Sequence, residues 1–355
     1  MESSDISAPS KPRDAASSNA GAPRRFLALL YFLLPTVCAC LLSGTSLQAA
    51  SPVDGSGSAR VESFQVASAE ELLRVLDQGW QAVGLDGTAA PALAPSRFPP
   101  GLEELPVERK KSAFLRAVLP LVVSVNTDVA RERTRVQELA RAIATASHSL
   151  TEEEWALVAS LSKRYRVPGA EGAMAEGRVA EVLEELLLRI DQVPVGLALS
   201  QAALESGWGT SRFAVEGNSL FGQWVFSRRG MDPAERPEGA GYSVARFRDL
   251  RASVAAYVRN LNTSWAYREY RNLRAAMRTR GDGGLDALAL AGELLHYSAR
   301  REAYVDEVRA VIRGNRLTRF RGTRLLPVDG LVAAIPREAE RLAMDEGSSG
   351  VPPDA

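Results

Sequence analysis

The stretch Val193-Pro194-Val195-Gly196-Leu197-Ala198-Leu199-Ser200-Gln201-Ala202-Ala203-Leu204-Glu205-Ser206-Gly207-Trp208-Gly209 constrains this chain more than any other. Between Val195 and Leu204 only Ser200 and Gln201 are polar, so a helix here is buried nearly all round. Pro194 suits the first helical turn, where its missing N–H costs nothing. Gly207 suits the left-handed position past the end. One carboxylate, Glu205, falls in the last turn. The negative end of the helix dipole and the apolar neighbours both disfavour its ionised form, so both raise its pKa. A carboxylic acid kept protonated near neutral pH can protonate a glycosidic oxygen. Gln201 lies one turn earlier on the same face, within reach of Glu205 or of a ligand. Gly207 and Gly209, flanking Trp208, allow the backbone to approach a ligand closely.

Downstream, Thr210–Ala214 reads as a short helical turn. Asn218 to Phe226 then alternates in strand fashion, with Leu220, Trp224 and Phe226 on one side and Phe221 and Val225 on the other. A Gly- and Pro-bearing loop from Gly230 to Gly241 leads to a second alternating run, Tyr242 to Phe247. A hairpin of this kind beside the end of the acid-bearing helix makes a cleft for a sugar chain. Sugars stack on aromatic faces such as Trp208, Phe221 and Trp224, and take hydrogen bonds from Asn218 and Gln223. Core packing is the alternative for each ring.

The segment Ala198 to Ser211, followed by Gly217-Asn218-Ser219-Leu220-Phe221-Gly222, closely resembles the glucosaminidase domain of glycoside hydrolase family 73. The continuation Gly222 to Phe226, then Tyr257 to Thr263 and Ala266-Tyr267, is similar to the Bax-like branch of that family. The resemblance runs from about Val107 to Asn315. It implies a mainly α (α+β), lysozyme-like helical domain with a small β-hairpin lobe, acting on the glycan strands of bacterial peptidoglycan and cleaving after N-acetylglucosamine. By the same resemblance Glu205 matches the general acid, Tyr297 a tyrosine near the active site and Tyr304 a second one, which packing between helices would also explain. Many members carry a second carboxylate on the hairpin. Here Asp232, Glu235 and Glu238 are the choices, and none aligns uniquely. Without one, the substrate's own 2-acetamido group can attack the anomeric carbon.

The address comes from the N-terminus. Residues 1–25 read as a disordered cytoplasmic segment ending in Arg24-Arg25. An uncharged apolar run follows, Phe26 to Leu42, about 25 Å long as a helix. Positive charge ahead of such a run sends the rest of the chain across the membrane. Residues 26–50 are therefore a transmembrane anchor or a cleaved signal segment, and the location is the cell envelope or periplasm, with inner-membrane lipid a partner if the segment is kept. Both cysteines, Cys38 and Cys40, lie inside this run, so the exported part has no thiol. His148 and His296 are the two histidines and lack ligand spacing, which disfavours a zinc site. No cofactor is implied. With 43 basic and 43 acidic residues among 355 and no basic stripe with interleaved aromatics, nucleic-acid binding is disfavoured.

Residues 51–106 read as a linker with a short helix, Ser68 to Trp80, after a serine cap. Residues 107–315 form the glucosaminidase domain and 316–355 a largely disordered tail. Within the domain, helices are expected at Glu108–Val125, Asn126–Ala146, from the capping box at Thr151, Gly177–Asp191, from the Asp249 cap to Asn262, Ser264–Arg280, Leu285–His296 and Glu302–Gly314. The basic face Arg268, Arg271, Arg274 and Arg278 is either solvated or a contact for anionic peptide stems. The leading reading is an exported endo-β-N-acetylglucosaminidase-type hydrolase. A lytic transglycosylase using the same acid and a non-catalytic peptidoglycan-binding protein are the alternatives. The sequence leaves the oligomeric state open.

Overall fold

The computed structural model describes residues 60–81, 83, 87–145, 149–225, 230–233, 241–281 and 284–328. All of them lie in one compact unit spanning 35–355. The apolar N-terminal run, His148, Phe226, Glu235 and Glu238 fall outside the described residues.

In chain order the elements are β1 (Glu62–Phe64), α1 (Ala69–Gln81), β2 (Ala89–Pro91), β3 (Leu93–Pro95), α2 (Val107–Thr145), α3 (Glu152–Tyr165), α4 (Ala170–Ala175) and α5 (Val179–Arg189). They continue with α6 (Val195–Ser206), α7 (Arg212–Gly217), β4 (Trp224–Val225), β5 (Ser243–Val244), α8 (Leu250–Thr263), α9 (Arg268–Arg280), α10 (Ala287–Ala291), α11 (Glu302–Gly314) and β6 (Arg324–Leu326). The domain is thus mainly helical, with a short antiparallel β4–β5 hairpin registered Trp224 to Val244, as expected.

The long helix α2 is the axis of the core. Two helices meeting at Asn126 were expected, but one helix runs through. Asn126 does not end it, because its side chain is committed elsewhere: its Nδ2 donates to the Val193 carbonyl and its Oδ1 accepts from the Val193 N–H. The central stretch of α2, including Phe114, Val118, Leu119 and Val122, is buried against α5, α6 and α8. By length and composition it could cross a membrane, yet its apolar stretch faces mostly the protein interior, as a core helix does.

Local signals hold at several ends. Thr151 and Glu154 form both bonds of the capping box, and the Asp249 side chain accepts from the Ala252 N–H at 2.7 Å. The Ser68 hydroxyl accepts from the Glu71 N–H, opening α1. The ordered unit is wider at both ends than 107–315. β1 pairs with β3, and β2 pairs in parallel with β6 from beyond Asn315, while Leu72, Trp80 and Phe98 enter the main core.

Two elements differ from expectation. The alternating run from Asn218 shrinks to β4, because Asn218 (φ 53°) and Gly222 (φ 58°) are left-handed and break extended geometry; Leu220 and Phe221 are consequently both buried. The helix expected over Leu285–His296 stops at Ala291. Gly292 follows in the packing path of Arg309, whose Nη2 would lie 2.8 Å from a Cβ there, and the chain continues in turns to Arg300.

Candidate active site

Helix α6 positions Glu205. Leu197, Ala198, Leu199, Ala202 and Ala203 are fully buried, so the helix is encased as its composition requires. Pro194 takes the cap position rather than the first turn, and Gly207 closes the helix in the left-handed conformation at φ 59°. The loop leading into α6 is pinned by a buried ionic cluster. The Asp191 carboxylate accepts from Arg278 Nη2 at 2.7 Å and Nε at 3.1 Å, with Arg133 at 3.7 Å and Arg274 at 4.0 Å. Burial works against ionisation of Asp191, but Arg278, Arg274 and Arg133 outweigh it and hold its pKa below the ordinary value. Arg274 also donates to the carbonyls of Leu188, Arg189, Asp191 and Gln192 and to Asn262 Oδ1, closing the end of α5.

At the other end of α6, phenols surround the acid. Tyr257 from α8 donates its hydroxyl proton to Gln201 Oε1 at 2.7 Å. Gln201 Nε2 donates to the Tyr304 hydroxyl at 2.9 Å, and Tyr304 from α11 donates to Glu205 Oε1 at 2.7 Å. Every donor in this chain points toward the carboxyl group. Tyr297 stacks flat on Tyr304, with ring centres 5.4 Å apart and planes 2° off parallel, and its hydroxyl donates to the Phe221 carbonyl at 3.3 Å. Phe221 stacks on Tyr257 at 3.9 Å, and Tyr267 tilts against Tyr297. Gly222 approaches from the hairpin: a Cβ there would lie 3.8 Å from Glu205 Oε2.

The electrostatics follow from this lining. Burial raises the pKa of Glu205; the Tyr304 hydrogen bond and the Arg300 charge oppose the rise, and Glu307 adds to it. Burial also lifts the pKa values of Tyr257, Tyr267, Tyr297 and Tyr304, and the Glu205 charge adds to each rise, so all four remain neutral donors. Arg300 sits 5.8 Å from the Tyr304 ring centre and pairs with Glu307. A partly buried acid, fed by hydrogen-bond donors and shielded from full positive neighbours, is suited to hold a proton and release it to a bound oxygen.

The family can be tested against this arrangement. A family model described as mannosyl-glycoprotein endo-beta-N-acetylglucosaminidase matches residues 182–317, the span that carries α6, the hairpin and α11. Protein bax of Escherichia coli (strain K12) is 32% identical over 208 residues, covering 58% of this chain and 70% of that protein. The chain belongs to the glucosaminidase family. Its relation to that bacterial protein is consistent with the Bax-like branch of glycoside hydrolase family 73. No solved structure matches it.

Within this glucosaminidase domain, Glu205, Gln201, Phe221, Tyr297 and Tyr304 come together. Their roles differ from a simple ligand-contact list. Gln201 and Tyr304 are almost wholly enclosed and reach Glu205 in series, Gln201 through Tyr304. Asn218 is buried at the root of the hairpin, where its Nδ2 donates to the Phe247 carbonyl at 3.0 Å. Trp208 leans on α2, edge-on to Phe114 and 5.6 Å from Lys111 Nζ. The close approach allowed by Gly209 is taken by Phe98, 2.9 Å from where its Cβ would stand. Gln223 is partly buried beside Trp224, which is 44% exposed and edge-on to Tyr242 at 4.6 Å.

Of the hairpin carboxylates, Asp232 is exposed and its backbone carbonyl accepts from Arg212. Sequence reasoning missed four members of the shell. Tyr257 lies in the segment that carries the family resemblance but was given no role in the site, although a buried tyrosine needs a partner for its hydroxyl, and that need was the usable signal. Tyr267, in the Ala266-Tyr267 part of the same resemblance, and Arg300 and Glu307 were likewise given no role, since their neighbours are set by the packing of α8, α9 and α11.

Proposed function

We propose that this chain is an exported cell-envelope hydrolase that cuts N-acetylglucosaminyl bonds in peptidoglycan, in the manner of an endo-β-N-acetylglucosaminidase. Glu205 is its general acid. The observation that carries the reading is the donor chain from Tyr257 through Gln201 and Tyr304 to Glu205 at the closed end of an apolar helix. The family match supports the same chemistry.

In the reaction, Glu205 gives its proton to the glycosidic oxygen as the bond to the anomeric carbon breaks, and Tyr304 then steadies the new carboxylate with the hydrogen bond it already donates. Tyr297 borders the reacting sugar and orients it. Trp224, exposed on the hairpin, offers a face for sugar stacking. Among the described residues the carboxylate whose charge reaches Glu205 is Glu307, already paired with Arg300, so Glu307 is poorly suited to activate water. Attack on the anomeric carbon by the substrate's 2-acetamido oxygen meets the same need. A hairpin carboxylate from Asp232, Glu235 or Glu238 is the other route. The apolar run at 26–42 would carry the domain across the inner membrane and either anchor it or be removed.

Digestion of purified peptidoglycan by the full chain, followed by mass spectrometry, tests the proposal. Fragments with reducing N-acetylglucosamine ends support it. Anhydro-muramyl ends make the protein a lytic transglycosylase. No release of fragments, with the cellular role unchanged in Glu205→Gln, makes it a binding protein.

A further inference from the structure

Directly after the last turn of α6 the backbone enters a strained run. Gly207 (φ 59°), Trp208 (φ 59°) and Gly209 (φ 83°) are all left-handed. Glycine takes this conformation freely, but a tryptophan takes it only at a cost, so strain is stored three positions beyond Glu205. It persists where the surroundings over-determine it. From inside the run, the Trp208 N–H donates to the Ala203 carbonyl at 2.8 Å and the Gly209 N–H donates to Ser206 Oγ at 2.9 Å.

The outer side is closed by rings. Phe98 is buried, and its Cε2 stands 2.9 Å from where a Gly209 Cβ would be, so the ring lies directly on the backbone of the turn. Phe98 stacks on Phe114 of α2 at 5.7 Å, and Phe114 meets Trp208 edge-on at 5.7 Å. The three rings thus clamp the strained residue. Phe98 comes from the segment after β3, well ahead of the family-matched span 182–317. Two residues before it, the Ser96 carbonyl accepts from the Leu250 N–H at the start of α8, at 2.9 Å. Helix α8 carries Tyr257, where the donor chain begins, and α6 carries Glu205, where it ends. One short stretch therefore touches the exit of the acid's helix and the entry of the helix that opens its donor chain.

We propose that Phe98 is a positioning residue for Glu205: packed on Gly209, it fixes the left-handed turn and so the direction in which the carboxyl group leaves α6. This rests on the reading of Glu205 as the general acid, and it gives the N-terminal flank a part in the chemistry as well as in the fold. Misplacing a reacting group by about 1 Å costs up to roughly a hundredfold in rate, so a small shift of this turn is enough to matter.

The test compares the full chain carrying Phe98→Ala, Phe98→Leu or Leu72→Ala with the wild type. Leu72 is a fully buried residue of the same flank, on α1, which packs on α2 and β3. The readouts are kcat and KM on peptidoglycan across pH and a carbon-13 titration of the Glu205 carboxyl, each taken where circular dichroism shows the variant folded. Phe98→Ala is expected to lower kcat by roughly tenfold to a hundredfold with KM nearly unchanged. The Glu205 midpoint and the alkaline limb of activity should both move down, because a loosened turn lets water reach the carboxyl group. Phe98→Leu, which keeps bulk against Gly209, should restore most of both. Leu72→Ala should melt earlier and leave the midpoint and the limb in place. A midpoint and limb unmoved in Phe98→Ala, or moved as far by Leu72→Ala, overturn the proposal. If Phe98→Ala does not fold, Phe98→Leu decides in its place, and a smaller shift of the same sign is required. The carboxyl titration needs no turnover, so a wild type without activity refutes the hydrolase reading while the midpoint still decides whether Phe98 sets Glu205.

Discussion

Asp191 and Glu205 flank the same helix, one before its first turn and the other in its last. Both are withdrawn from water, and they are driven in opposite directions. Asp191 faces three guanidiniums that overcome its burial and keep it charged. Glu205 faces phenols, an amide and a half-exposed arginine that is itself paired, and burial prevails. The identity of the side chain decides little here; the charge of what surrounds it decides the protonation state. The arginine-lined carboxylate pins the entry of α6, and the phenol-lined one is left free to exchange a proton at its exit.

The sharpest test of that contrast is to exchange what each carboxylate does. Glu205→Gln should lower the rate of glycan cleavage by about 10²–10⁴-fold, the usual worth of a general acid, as read from release of reducing ends. It should not weaken the fold. A glutamate whose folded pKa is raised has a stabilising contribution that is complete below its unfolded value and lost as pH rises through its folded value. The variant should therefore melt at or above the wild-type temperature at neutral pH, with the difference fading in acid.

Asp191→Ala should do the reverse, costing about 3–5 kcal/mol in urea unfolding because it strands buried arginines. Its folded pKa is depressed, so the stability it supplies is present above the unfolded value and lost as pH falls through the folded one. If Asp191→Ala lowered activity while leaving the unfolding midpoint in place, the division of labour between the two carboxylates would be wrong.

Smaller changes probe the phenol shell. Tyr304→Phe removes the hydrogen bond donated to Glu205, so the Glu205 pKa should rise further and cleavage should fall by roughly tenfold. Activity in the wild type should decline as pH rises through the folded pKa of Glu205, and in Tyr304→Phe that alkaline limb should move upward. The least effect is expected from Arg300→Gln, which removes a half-exposed cation from the Tyr304 ring, a contact of about 0.5–1 kcal/mol at most exposed sites. Its pH profile should shift in the same upward sense, but less.

The two ends of α6 were not equally legible in the sequence. Glu205, the buried helix and the Gly207 stop could be read because composition, dipole and cap are local properties of a dozen residues. The capping box at Thr151 and the Asp249 cap were readable for the same reason. The donor chain was not, because Tyr257 and Gln201 are 56 positions apart and Gln201 and Tyr304 are 103 apart. The Asp191 cluster likewise joins α2, α9 and the α5–α6 loop, and nothing near Asp191 in sequence announces three arginines. Trp208 and Gly209 carried the right local signal, a ring and a close approach, but the neighbours that use it are Phe98 and Phe114 from the distant N-terminal segment and α2. Local chemistry told which residues had needs, and only the packing told which partners met them.

The direct measurement is a carbon-13 NMR titration of the Glu205 side-chain carboxyl in the folded protein, assigned by its absence in Glu205→Gln. A midpoint above the ordinary glutamate value of about 4.3, moving higher still in Tyr304→Phe, is the result expected for an acid kept neutral by its burial and tempered by its phenol. A midpoint at or below that value, unmoved by the Tyr304 substitution, would contradict the role given to Glu205.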